Sequence, residues 1–136
     1  MKSVFADSHY WIAIVKPGDQ WTDAAKAAKS SLGDVFLVTT DEVLTEFLAA
    51  LSKGEHMRRQ AAKMVRAIQA NPNIRVVPQT RDSFLKGLTL YEDRSDKEYS
   101  LTDCISMNVM RSESIVQVLT HDHHFEQENF SVLMKR

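Results

Sequence analysis

The feature that most constrains the fold is an alternation of short, apolar runs with longer stretches of helical pattern. Ser3–Ala6, Val35–Thr39, Ile74–Val77, Ile115–Leu119 and Ser131–Met134 are brief and mostly apolar at successive positions. Such runs suit strands covered on both faces. Between them lie Thr22–Leu32, Glu42–Lys53, Glu55–Ala70, Thr80–Tyr91 and Leu101–Met110, with Gly33, Gly54 and Asn71-Pro72 as stop signals. In Glu42–Lys53, for example, Val43, Leu44, Phe47, Leu48 and Leu51 share one face. Strands alternating with helices imply an α/β sandwich around a mostly parallel sheet. The two helices between the second and third strands predict an αα-hairpin at the domain's edge.

With 136 residues the chain reads as a single domain, 1–136, since two separate cores would each be too small. Apolar residues at 43% and charged residues at 26% are ordinary for a soluble globular protein. Cys104 is the one cysteine, so no internal disulfide can form. Asp7 interrupts the N-terminus before any signal-type apolar run develops, and Tyr10–Val15 is too short to span a bilayer. The expectation is a cytoplasmic protein without a membrane segment. A net charge of −1 excludes RNA binding by bulk positive charge, so an RNA-binding version of this chain needs a local basic stripe or a metal ion. Arg59, Lys63 and Arg66 recur at helical spacing, with Arg58 beside them, and are the candidate stripe. The segment Glu92–Glu98 is densely charged and reads as a solvated, mobile loop. Trp11 and Trp21 read as packing residues.

Four carboxylates stand out by position. Asp7 follows the first strand and Asp122 follows the fourth, where ligands collect in open α/β sheets. Each is also well placed to cap a helix. Asp103 closes the capping-box pattern Ser100-Leu101-Thr102-Asp103. On a helical wheel it points away from Leu101, Cys104, Ile105 and Val109, free to line a cleft. Glu46 flanks the apolar face of its helix, at a boundary that allows partial burial. Singly, capping or solvation accounts for each. Together they fit one edge of one sheet, where four ionised carboxylates require a countercharge. Hard oxygen ligands favour Mg²⁺ or Mn²⁺ over zinc, and such an ion can activate water and shield a phosphate.

The residues around these acids resemble a known family. Val4-Phe5-Ala6-Asp7-Ser8-His9-Tyr10-Trp11-Ile12-Ala13 resembles the opening motif of PIN-domain proteins, in which an apolar strand leads to an aspartate, a small hydroxyl residue and an aromatic-apolar helix. Thr45-Glu46 resembles the second motif, Asp96–Ser106 the third, and Leu119-Thr120-His121-Asp122-His123-His124-Phe125 the fourth. No one motif is specific; four in order along nearly the whole chain are. Length and third motif are most similar to the VapC-like ribonuclease toxins of bacterial type II toxin–antitoxin pairs.

That resemblance implies a PIN-like three-layer αβα sandwich, Mg²⁺ or Mn²⁺ dependence, endoribonuclease activity on RNA, a homodimer, and an antitoxin partner placing a segment in or beside the acidic groove. It assigns Asp7, Glu46 and Asp103 to the metal, with Asp122 as a fourth acid acting directly or through water. Ser8, Thr102 and Thr120 are the supporting hydroxyls, and Asp96 an outer or structural acid. The basic stripe is then an RNA surface, with a solvated face or a dimer or antitoxin contact as its alternatives. The crowding of histidines at 121, 123 and 124 departs from the fourth motif: exposed turn residues are the plain reading, RNA contact and metal ligation the others. Two further functions stay open, a PIN-domain RNA-processing nuclease that is no toxin and a catalytically silent RNA- or protein-binding module. The intact acid set argues against the second. A receiver-type signalling domain requires an acidic pair after the first strand, and Ala6 precedes Asp7.

Overall fold

The computed structural model describes residues 1–136. Its elements run β1 (Ser3–Ala6), α1 (Ser8–Val15), α2 (Thr22–Leu32), β2 (Phe36–Thr40), α3 (Asp41–Ala50), α4 (Glu55–Ala70), β3 (Ile74–Val77), α5 (Arg81–Asp93), α6 (Leu101–Ser112), β4 (Gln117–Leu119), α7 (His124–Gln127) and β5 (Ser131–Val132). The five strands form one sheet in the order β3-β2-β1-β4-β5, every neighbouring pair parallel. Helices flank it, as the alternation of elements requires.

The inner strands are sealed by residues such as Val4, Phe5, Leu37, Val38, Val118 and Leu119, all buried. Burial of successive residues is what the continuous apolar runs predict. Phe47, Met107, Met110 and Phe125 complete the same core from the helices. α2 stops at Gly33, whose φ of +68° suits a residue without a Cβ.

Several boundaries differ from the sequence reading, for local reasons. β4 begins at Gln117 rather than Ile115: Ser114 turns with φ +56°, and the Ile115 N–H bonds back to the Met110 carbonyl at 2.8 Å. The charged segment 92–98 is not wholly a solvated loop. α5 absorbs Glu92 and Asp93, and Arg94 makes two hydrogen bonds, at 3.0 and 3.2 Å, to the buried Glu128 carboxylate. Asp103 is buried, at 7% exposure, and not on an open helix face. α6 is covered nearly all round, from Asp103 through Met107 and at Val109 and Met110, so its apolar stripe does not mark the only inward side.

Topology fixes where a site can form. The chain steps from β1 outward through β2 to β3, then returns to the other side of β1 for β4. The β1/β4 boundary is therefore the switch point, and crevices open there at the carboxyl ends of the strands. Phe5 pairs with Val118 and Ala6 with Leu119, so Asp7 and Thr120 emerge side by side.

Candidate active site

Asp7 occupies the N-cap position of α1 but its side chain makes no capping bond. It turns inward and is 2% exposed. One oxygen, Oδ2, accepts a 2.8 Å hydrogen bond from the Thr120 hydroxyl; the other, Oδ1, is buried with no partner. Thr120 Oγ1 in turn accepts from the Asp122 N–H at 3.1 Å and lies 3.1 Å from His9 Nδ1. One threonine thus ties the ends of β1 and β4 together.

Asp103 caps its helix, as its sequence pattern predicts. Ser100 and Asp103 form the reciprocal capping box, and the Asp103 carboxylate also lies 3.7 Å from His124 Nδ1. Asp122 accepts from the His124 N–H at 2.9 Å, shaping the turn into α7, while its Oδ1 sits 3.2 Å from the same imidazole nitrogen. Ligand atoms of Asp103, Asp122 and His124 all lie within 4.8 Å of one another. His124 Nδ1 is buried and makes no hydrogen bond. Glu46 reaches the site from α3 and accepts a hydrogen bond from the Ser8 hydroxyl.

The electrostatics mark these side chains as one cluster. Burial raises the Asp7 carboxyl to about 7, with Asp103 and Glu46 pushing the same way and His9 and Thr120 opposing. Asp103 is also raised, by burial first and by Asp122 and Glu46, against the Ser100 N–H and His124. Like charges brought together out of water behave in this way. A divalent cation fits such a set: hard oxygens converge, one buried oxygen and one buried nitrogen lack partners, and the repulsion calls for positive charge.

The supporting residues divide. Ser8 and Thr120 bond directly to acids. Thr102 makes no such bond and lines a groove of about 400 Å³ beside Glu46. Asp96 is not brought in: its carboxylate is 74% exposed and faces Lys97. Arg58, Arg59, Lys63 and Arg66 are all exposed on α4. Arg59 pairs with Glu55, Arg58 donates to the Ser52 carbonyl, and both line a groove of about 760 Å³. That groove shares Ala49 with the one beside Glu46, so the basic residues connect to the acids along α3.

Two side chains escaped the sequence reading, Glu42 and His9, and His121 was noted only as one of the crowded histidines. Glu42, one turn before Glu46, lines the same groove and has an unpartnered buried Oε2. The i, i+4 spacing to Glu46 was the available signal. His9 and His121 stack on each other beside Thr120, with centroids 4.0 Å apart. Nothing in one dimension brings residues 112 positions apart together. Burial, then His9, lowers His121 from its ordinary value.

The all-parallel sheet with Asp7, Glu46, Asp103 and Asp122 at the carboxyl ends of its inner strands and on the helices beside them places the chain among α/β folds with an acidic site at the switch point. The chain belongs to the PIN-domain family, whose model matches residues 4–130. It is 28% identical over 127 residues to the 23S rRNA-specific endonuclease VapC20 of Mycobacterium tuberculosis, covering 93% of this chain and 95% of that one. The crystal structure of M. tuberculosis VapC20, described as a sarcin–ricin loop cleaving toxin, superposes with a TM-score of 0.83 at 26% identity over 93% of this chain and 95% of that one. FitAcB from Neisseria gonorrhoeae shares the fold at a TM-score of 0.64 and 16% identity, over 98% and 96% of the two chains. A toxin–antitoxin complex from Klebsiella pneumoniae does so at 0.61 and 13%, over 88% and 87%. No helix is long and apolar enough to cross a membrane.

Proposed function

We propose that this protein is a divalent-cation-dependent endoribonuclease and the toxin of a type II toxin–antitoxin pair. The observation that carries the reading is a buried Asp7 with an unpartnered Oδ1, coupled by charge to Glu46 and Asp103, while ligand atoms of Asp103, Asp122 and His124 lie within 4.8 Å of one another. Residues 1–136 act as one PIN-like domain in the cytoplasm, as a homodimer held in check by its antitoxin.

Asp7, Glu46, Asp103 and Asp122 would hold Mg²⁺ or Mn²⁺, which when bound neutralises phosphate charge and makes water a better nucleophile. The remaining work belongs to the side chains. Thr120 holds Asp7 by one oxygen, leaving the other directed into the site. Ser8 fixes Glu46, so both carboxylates keep a set orientation instead of sampling rotamers. The capping box holds Asp103 in place through its own backbone. His124 adds a nitrogen to an oxygen-rich set, which favours Mn²⁺ over Mg²⁺. Lys63 and Arg66, exposed and free of ion pairs, and Arg58 and Arg59 on the adjoining groove, contact the RNA backbone. A structured ribosomal RNA is the natural first substrate, given what the VapC20 relative cleaves.

The test is to incubate the purified protein with ribosomal RNA and with unrelated structured RNAs, in Mn²⁺ and in EDTA, beside Asp7→Asn. Cleavage confined to the wild type with cation is expected. Cleavage in EDTA, or unaffected by Asp7→Asn, contradicts the mechanism. A small protein encoded beside this one that copurifies with it and suppresses cleavage supports the toxin role.

A further inference from the structure

Beside the acids stands a column of stacked rings that no part of the proposed chemistry uses. His9 stacks on His121 with centroids 4.0 Å apart and planes 7° apart, and His121 stacks on Trp21 at 4.2 Å and 8°. The Arg136 guanidinium lies over the Trp21 ring, 4.8 Å from its centroid. Three elements supply the column: α1, the segment before α2, and the turn after β4. Its near end is His9, whose edge is fixed by Thr120 Oγ1 at 3.1 Å and whose Nδ1 lies 3.9 Å from Asp7 Oδ2.

Core packing accounts for only one end of it, since Trp21 packs against the core while the two imidazoles do not belong to it. His9, Trp21 and His121 are only half-buried, whereas the core rings Phe5, Phe47 and Phe125 are fully enclosed. The His9 side chain keeps 31% exposure although His121 stacks on one face, so solvent reaches the part of the ring that His121 leaves uncovered. A flat ring held rigidly by one face and one edge, with area left open next to a phosphodiesterase site, is what a single-stranded nucleic acid needs to dock a base. Every base has a π-face, so a stacking platform tolerates sequence and acts chiefly on placement.

We propose that His9 is the platform on which a nucleobase flanking the scissile phosphate stacks, extending the Trp21–His121–His9 column by one ring. The inference rests on the endoribonuclease reading and adds to it a substrate-positioning residue. Because the column is braced from behind by Arg136 and Trp21, His9 needs no rearrangement to accept the base. A substrate phosphate at Asp7 then carries its neighbouring base over the pocket rim, which sets where along the strand the cut falls.

The experiment uses single-stranded RNA oligonucleotides carrying one abasic position, scanned along the strand. Binding is measured by fluorescence anisotropy in EDTA, and cleavage in Mn²⁺, for the wild type, His9→Ala and His9→Phe. One abasic position is expected to weaken wild-type binding roughly tenfold or more. His9→Ala binds intact RNA as weakly as the wild type binds that abasic RNA, and loses nothing further on it. His9→Phe, which keeps a ring without imidazole nitrogens, restores the discrimination. Equal losses at the abasic position in wild type and His9→Ala overturn the platform, as does His9→Phe behaving like His9→Ala. Abasic discrimination without any cleavage leaves the platform standing and sinks the nuclease reading; cleavage without discrimination does the reverse.

Discussion

A carboxylate buried as deeply as Asp7 opposes folding whenever it is ionised, because loss of water and the neighbouring acids both act against the charge. Its folded value of about 7 lies above the ordinary 3.8, so between them the folded state binds the proton more tightly. In the absence of divalent cations, this contribution against folding is missing below about 3.8 and complete above about 7. Stability therefore falls as pH rises through that window. Asp7→Asn removes the part of that dependence that Asp7 contributes, and we expect it to be more stable than the wild type by about 2 kcal/mol at pH 8 in EDTA. Urea unfolding at several pH values checks this; a variant no more stable than wild type at pH 8 contradicts it. His124 makes a second prediction at this scale. His124→Ala should weaken Mn²⁺ binding about tenfold and change Mg²⁺ binding little, read by calorimetric titration. Residues such as Asp7 and Asp122 were legible because an acid directly after an apolar strand has few places to go. Capping was the correct rival only in part: Asp103 caps and also approaches Asp122 and His124, while Asp7 at the N-cap position makes no side-chain capping bond. His124 was visible as a departure from its motif, but its convergence with Asp103 depends on how α6 and α7 dock.

Two contacts decide how the elements around the site are held. α5 and α6 approach closely at Gly87, where an added Cβ would lie 2.5 Å from Ile105 Cγ1. Gly87→Ala gains about 1 kcal/mol of helix propensity but must displace a side chain that is 4% exposed. The expected balance is a loss of about 1–2 kcal/mol, measured by thermal or urea unfolding. A stabilised Gly87→Ala would show that Ile105 moves freely. This glycine looked like any other in the sequence, since a glycine inside a helical pattern does not announce the neighbour it admits. The second contact is Glu128, which accepts from Arg94, Arg111 and Tyr99 and thereby ties the end of α5, α6 and the segment that leads into it to the turn after α7. Hydrogen bonds from Arg94, then from Arg111 and Tyr99, hold its carboxyl down at about 2 despite burial, against an ordinary 4.5. The stabilisation is present above about 4.5 and is lost as pH falls toward 2. With Arg94 and Arg111 partly in water, it amounts to about 2 kcal/mol. Glu128→Gln should lower stability by that amount at pH 7, with the gap to wild type closing as pH drops from 5 to 2. A gap independent of pH would show that the network acts through packing alone. The chain hinted at none of this, because Arg94 sat in a segment whose charge density suggested solvent.

At the scale of the molecule, sheet order makes the site. The alternation of apolar runs and helices was enough to give a parallel α/β architecture, since the strand-like runs are mostly apolar at successive positions and lack the regular polar alternation of a one-sided sheet. It was not enough to place β4 beside β1 and not beside β3, because pairing of parallel strands depends on crossovers that leave no local mark. The acids met because Asp7 and Thr120 follow paired residues of β1 and β4, while Glu46 and Asp103 enter on α3 and α6. The central claim is that these four carboxylates form a single cation site serving RNA cleavage. Calorimetric titration of Mn²⁺ into the wild type and into Asp7→Asn, Glu46→Gln, Asp103→Asn and Asp122→Asn, each confirmed as folded by circular dichroism, tests it most directly. At least a tenfold loss of affinity is expected in Asp7→Asn and Asp103→Asn, with RNA cleavage lost in step. Wild-type affinity in both of those variants would contradict it.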